Sequence, residues 1–444
     1  MKYYIGYVTL MRLLSKKIDS YRNMSDDEQF RWFAIILGIV LAIDVLAVGI
    51  VSFFEPMFDM SNYYGNISDV IDNHLMPYSG FKFEYPPAAL LVFAVPKLFS
   101  WDLVSFHFSY AIFAALAYVL FARYLLRITD HFGIQRANVY ISIIVLAIIG
   151  NQFITARNDI FAILAVTVAF YCFTKERYDL SAVALAVGAM IKIYPIILIP
   201  MFMIVFLSRR DWVRMFRFAI VSGLVCVIME LPFLIADPST AFAYLSYHSD
   251  RGLQVEGVVS SVITFINLFT PIIDEIGIYY GSNTIVGDIP DMCARILDKA
   301  LYVMLVVSSL WMIYRCHRME SVDEKQELRI LSAMSIIILF VFITFSKVYS
   351  AQYMLWFLSL FPLLLLSSDD DRYTKMVKLT ALYVIFAVPS SAVAFMIGGL
   401  YPEDNVIPIL LVLMKNVFHI ILFAFIIRSF MEWTSKTSEI NRSC

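Results

Sequence analysis

Charged residues are scarce in this chain, and several stand where an apolar run breaks: Arg157-Asn158-Asp159, Lys192 ahead of Tyr194-Pro195, Arg251 with Gln254 in a polar stretch that also holds His248, and Lys347 with Gln352 close behind. A cation at membrane depth is expensive unless an anion or a hydrogen-bonding group meets it, which makes each of these a candidate for function. Taken singly, each also reads as a hairpin turn or a headgroup anchor. Their coincidence points further. An acidic, aromatic stretch, 55–85, carries Asp59, Asp69, Asp72 and Glu84 among Tyr63, Tyr64, Tyr78 and Tyr85. Connections this long are usually functional or disordered, and the aromatic content argues against disorder. Separated cations facing such a loop suit an anionic lipid head group, with the phosphate held still and a carboxylate beside it to take up a proton.

The elements that must position these residues are membrane helices. Of 444 residues, 61% are hydrophobic and 16% charged, with mean hydropathy +0.77, which is well outside the range of soluble globular domains. Apolar runs of roughly twenty residues recur, the length a bilayer requires. Full spans are expected near Trp32–Phe53, Leu103–Leu126, Asn138–Ala156, Ile160–Thr174, Trp212–Ile235, Lys299–Tyr314, Ile330–Phe345, Tyr349–Ser367, Val377–Gly398 and Val406–Ile427. Three stretches fit poorly: Pro86–Phe99 is short, Ser181–Leu207 is broken by Pro195 and Pro200, and Val258–Tyr280 contains Pro271 and two acids. We expect these to re-enter or lie at the interface. The fold class expected is therefore all-α and polytopic, about ten to thirteen membrane helices counting short re-entrant segments.

If the three stretches return to the side they left, most of the 34 lysines and arginines fall on one side, the cytoplasmic one under the positive-inside rule. Both termini then lie in the cytoplasm: a segment 1–31 with no cleavage site, a single membrane domain 32–427 with its first outer loop at 54–85, and a tail 428–444. The net charge of −2 gives nucleic acid nothing to bind, and neither a zinc-like Cys/His spacing nor a Gly-rich phosphate loop is present. The five cysteines are scattered singly, as packing residues are.

The order Asp59, Tyr63-Tyr64, Pro77-Tyr78, Glu84-Tyr85-Pro86-Pro87 resembles the first outer loop of the GT-C membrane glycosyltransferases, particularly glycosyltransferase family 87. Arg157-Asn158-Asp159, Met190–Pro195 and Phe345–Tyr353 are similar to later elements of that family, in the same order, so the resemblance runs from about residue 32 to 367. It implies a GT-C-like bundle in a prokaryotic cell membrane. It implies transfer of a hexose, with mannose favoured, from a polyprenyl-phosphate donor to a glycolipid, glycan or protein acceptor at the outer face. Asp59 would be the general base. Tyr63, Tyr64, Tyr78, Glu84, Tyr85, Arg157, Asn158, Asp159, Lys192, Tyr194, His248, Arg251, Gln254, Lys347 and Gln352 would contact substrate. No cofactor or metal is called for, because a sugar on a lipid phosphate already has a good leaving group and Arg or Lys can supply the positive charge. A GPI mannosyltransferase I type enzyme would carry an Asp-x-Asp pair in this loop, whereas Asp59 is followed by Met60-Ser61. A transporter or lipid-linked sugar flippase would place its charges near the midplane and often show inverted repeats. Neither feature is visible in the sequence.

Overall fold

The computed structural model describes residue 17 and residues 20–439 except 56, 250, 320–321, 365–370 and 397–405, and it leaves out the side chains of 248–249, 371–373, 391–396 and 436–439. Among these residues seven helices are long and apolar enough to cross a membrane: Asp26–Phe54, Leu103–His131, Arg136–Thr155, Trp212–Ala236, Asp288–His317, Glu324–Phe345 and Val406–Ser435. Shorter apolar helices lie at Asp159–Thr174, Tyr178–Ile191, Tyr194–Ser208, Val258–Asn267 and Ala351–Leu364, and Asp371–Met396 is helical over 26 residues. The chain is an all-α polytopic membrane protein.

Local chemistry explains the ends of the first long helix. Ser25 and Glu28 form a capping box at Asp26–Phe54, and Asp26, Asp27 and Glu28 place negative charge at its N-terminus. Phe33, Leu37, Leu41 and Val48 form its buried stripe, while Ile39, Ile43 and Ile50 on the other faces are exposed yet apolar. Such an outward apolar surface is at home only in lipid. Leu224, Val227 and Ile228 on Trp212–Ala236 and Val303, Val306 and Leu310 on Asp288–His317 repeat the pattern. Glu324–Phe345 is instead buried along most of its length and stands as a post against which Asp288–His317, the helix from Val406, Ile199–Ser208 and the segment Ala351–Leu364 pack.

Of two shorter expected spans, Ile160–Thr174 is found as the 16-residue helix Asp159–Thr174, within one residue of its expected bounds, while the other is interrupted. Tyr349–Ser367 is broken into a 3-10 turn Ala351–Tyr353 and short helices Met354–Leu358 and Phe361–Leu364. Pro362 offers no N–H to a continuous helix there, and residues 365–367 lie outside the described set, as do 397–398 of the expected span Val377–Gly398. The poorly fitting stretches are broken as expected. Pro86–Phe99 yields only the nine-residue helix Ala89–Lys97, whose Lys97 reaches Asp72 of the preceding loop at 2.8 Å. Ser181–Leu207 is a hairpin in which Tyr178–Ile191 rises, Lys192 stands in extended backbone at the apex, and a 3-10 segment Tyr194–Leu198 leads into the descending helix Ile199–Ser208.

Val258–Tyr280 contains a surprise. Its helix ends at Asn267, and the rest opens into strand β2 (Glu275–Tyr279), paired with β3 (Ser282–Val286). The two-residue turn Tyr280-Gly281 has positive φ at both positions, which is what a tight hairpin needs. β1 (Leu253–Gln254) adds to the other edge of β3, giving an antiparallel sheet in the order β1-β3-β2. Leu253, Val255, Ile263, Ile285, Ala294, Leu297 and Val412 form a small core beneath it.

Ion pairs tie the helix ends into two sets. At one end Arg136 meets Asp26 and Asp130, Arg209 meets Glu327 and the Tyr178 hydroxyl, Arg217 meets Asp179, and Arg315 donates to Thr434 and Ser435. The other end gathers the chain breaks identified from sequence. Of the cysteines, Cys172, Cys226, Cys293 and Cys316 are free thiols, and Cys444 lies outside the described residues.

Candidate active site

Asp59 lies in the first turn of the helix Phe58–Ile71, two residues past its N-cap Met57. The positive end of the helix dipole favours a carboxylate at this position. The expected first outer loop is thus partly helical. Its Asp59 pairs with Arg157, and both side chains are mostly buried while keeping some access. Tyr63, one turn on, stacks on Phe93 with ring centroids 4.3 Å apart and meets Tyr85 edge-on at 5.7 Å, which walls the pair with aromatic rings.

Arg157 begins the tight turn between Arg136–Thr155 and Asp159–Thr174. The next two residues face inward. Asn158 and Asp159 are fully buried, and both accept hydrogen bonds from the Lys192 ammonium, at 3.1 and 2.6 Å. The second Asp159 oxygen accepts from Trp356 Nε1 at 2.6 Å. With both oxygens engaged, Asp159 holds Lys192 in place, and the Lys192 side chain keeps 17% exposure. Trp356 stacks between Tyr194 at 4.2 Å and Tyr353 at 3.8 Å, so the hairpin apex is clamped by a column of rings.

The remaining cations join through backbone contacts. Ala88 N–H donates to Met190 O at 2.8 Å, which links the Pro86-Pro87 corner to the apex carrying Lys192. Arg251 lies 3.7 Å from Glu84, donates to Tyr280 O at 3.0 Å and covers the Tyr247 ring. Gln254 N–H donates to Lys347 O at 2.9 Å, and the Lys347 ammonium reaches Asp298 at 2.9 Å. Gln352 is buried at the start of the following 3-10 turn. Asp59, Glu84, Tyr85, Arg157, Lys192, Arg251, Gln254 and Lys347 therefore belong to one connected set.

Other expected contacts sit elsewhere. Tyr64 lies beneath Lys97 and against Phe106, in the Asp72 cluster. Tyr78 donates to Tyr85 O at 2.7 Å and packs on Phe233 and Tyr244, so it shapes the loop. The His248 side chain lies outside the described residues. Asp72 is half-exposed, and the hydrogen bond from Lys97 holds its carboxyl below the usual carboxylate value. Asp69 accepts from Asn73 at the surface.

Sequence reasoning missed Glu256. It is buried on the loop after β1, and its backbone carbonyl accepts from Lys415 and Asn416 of the last long helix at 3.1 and 3.2 Å. Burial pushes its carboxyl up, while the charges of Lys415 and Arg157 pull it back. A lone acid beside a glycine gave no signal in the sequence. A separate cavity of ≈ 310 Å³, lined by Arg209, Cys316, Glu324 and Glu327, lies at the opposite end of the bundle and includes none of these residues.

A bundle with lipid-facing apolar stripes and a compact charged notch at one end defines a membrane protein equipped for polar chemistry at the membrane boundary. The family model for glycosyltransferase family 87 matches residues 83–346, and the chain belongs to that family. It is a membrane glycosyltransferase. The matched residues include Glu84, Arg157, Asp159, Lys192 and Arg251, while Asp59 precedes them and Lys347 follows directly. No curated protein matches the chain.

Proposed function

We propose that the protein transfers a hexose, with mannose favoured, from a polyprenyl-phosphate donor to an acceptor hydroxyl at the outer face of the membrane, with Asp59 as general base. The observation that carries this reading is the Asp59–Arg157 pair, set among Lys192, Arg251 and Lys347 at one end of the bundle. The acceptor oxygen attacks the anomeric carbon, Asp59 takes its proton, and the bond from that carbon to the phosphate oxygen breaks. Charge then grows on the departing lipid phosphate. A guanidinium has five N–H donors in a fixed fork, so Arg157 suits a carboxylate and a phosphate at once. Fixed cations in a site screened from water stabilise such charge strongly. The partly exposed Lys192 meets the phosphate from the hairpin apex, and Arg251 and Lys347 approach from the loop after Trp212–Ala236 and from the end of the buried post.

Membranes containing the protein, incubated with labelled polyprenyl-phosphate-mannose, should pass the label to an endogenous acceptor. Label that stays on the donor, while another lipid-phosphate hexose is consumed, would move the sugar assignment. No transfer from any lipid-phosphate sugar would remove the donor class.

A further inference from the structure

The cations account for the phosphate half of such a donor and leave its sugar unrecognised. Strand β1 ends at Gln254, and a tight turn follows, closed by the Gly257 N–H donating to Gln254 O at 3.0 Å. Leu253 and Val255 enter the small core under the sheet. Gln254 and Glu256 are both more than nine-tenths buried. Gln254 Oε1 and Glu256 Oε1 have no hydrogen-bond partner among the described residues. Buried acceptors are rarely left unmet in native proteins. Here two occur two residues apart in one tight turn, with Lys415 and Arg157 as the charges that act on Glu256.

This loop is held firmly. Lys415 and Asn416 bind the Glu256 carbonyl, and Asn416 also binds that of Gly257 at 3.0 Å. Val255 N–H donates to Asn283 O at 3.0 Å on the sheet side. At Gly257 a Cβ would stand 2.9 Å from Ser260 Oγ and 3.1 Å from Gln254 O, so the backbone turns there without room for a side chain. Fixed acceptors within the field of the Lys415 and Arg157 charges suit a ligand that brings hydroxyl donors.

We propose that Glu256, with Gln254 beside it, accepts hydrogen bonds from hydroxyl groups of the transferred sugar and so selects which sugar is used. This rests on the reading of the site as one for a lipid-phosphate sugar. A carboxylate offers only acceptors and matches vicinal hydroxyls. A site built to bind a particular hydroxyl discriminates steeply against an analogue that lacks it.

The test uses the full-length chain in membranes, with polyprenyl-phosphate-hexose and its monodeoxy analogues as donors and polyprenyl phosphate as inhibitor. Wild type should lose on the order of 100-fold in kcat/KM on at least one deoxy donor. Glu256→Ala should lose a comparable factor on the parent sugar and show a deoxy penalty of only about threefold at that position, because the interaction can be lost only once. Glu256→Gln, which keeps the shape, should fall between. Inhibition by polyprenyl phosphate should stay within about twofold in both variants, since the phosphate half is untouched. Undiminished deoxy penalties in both variants, or inhibition weakened in step with activity, would reduce Glu256 to a support of the loop and overturn the inference while wild-type transfer stands. A wild type that uses no lipid-phosphate hexose would remove the donor reading and this inference with it.

Discussion

Asp59 stands out from the other acids of its loop because of its partner. Asp72 is bound by Lys97, Asp69 by Asn73 and Glu84 by Arg251, whereas Asp59 faces Arg157 at the mouth of the aromatic wall. Asp59→Asn keeps the shape and removes the basic lone pair, so transfer should fall by roughly two orders of magnitude or more, with protein level unchanged on an immunoblot. Near-normal transfer by Asp59→Asn with an inactive Glu84→Gln would assign the base elsewhere. The buried pair Lys192–Asp159 gives a second prediction. Removing either partner strands a charge against Trp356 or Asn158 and should destabilise by about 3–5 kcal/mol, read as a lowered melting temperature in detergent. The double variant Lys192→Met/Asp159→Asn should recover much of that stability, since the two changes couple. It should not recover donor KM, because the phosphate contact is gone in both. A double variant with wild-type KM would make Lys192 a structural anchor alone.

Elements, and not single residues, bring the notch together, and their breaks are the most legible part of the sequence. Pro195 marks the hairpin apex because a proline interrupts the hydrogen bonding of an apolar helix. Arg157-Asn158-Asp159 marks a turn because a charged run is too costly to leave in the middle of a lipid-facing span. The hairpin β2–β3 is harder to see. Ile276, Ile278 and Tyr-Tyr-Gly at 279–281 are strand and turn signals, but set in an apolar stretch they read as part of a membrane segment. Glu256 is illegible for a different reason: its loop is fixed by Lys415 and Asn416, about 160 positions later in the chain, and no local pattern reports a contact over that distance. That tether carries its own prediction. Asn416→Leu leaves the Gly257 carbonyl unmet in a buried place, which costs about 1–3 kcal/mol. It should also slacken the loop bearing Arg251 and Gln254. The expected result is a lower melting temperature with a several-fold rise in donor KM, while a fall in kcat alone would separate the tether from donor binding.

At the scale of the whole molecule the two ends differ in charge character. Arg136, Arg209, Arg217 and Arg315 bind the helix ends opposite the notch, and Arg210, Arg214 and Arg318 lie in the same connections. At the notch end Arg157 pairs with Asp59, Lys192 with Asp159, Arg251 with Glu84 and Lys347 with Asp298, while Lys82 lies over the rings of Tyr247 and Tyr280. Because lysines and arginines in short loops are retained in the cytoplasm, we propose that the opposite end lies inside and the notch outside. That is the side where a lipid-linked sugar could meet an acceptor arriving from water. Asn73 is exposed just beyond the helix Phe58–Ile71, and Arg210 is exposed between Ser208 and Trp212, so each reports on one end. In a background with the five native cysteines replaced by alanine, Asn73→Cys should react with an impermeant maleimide added to intact cells. Arg210→Cys should react only after the membrane is opened. The reverse pattern would put Asp59 in the cytoplasm, where a soluble nucleotide sugar and not a lipid-phosphate donor in the outer leaflet would be the reagent within reach.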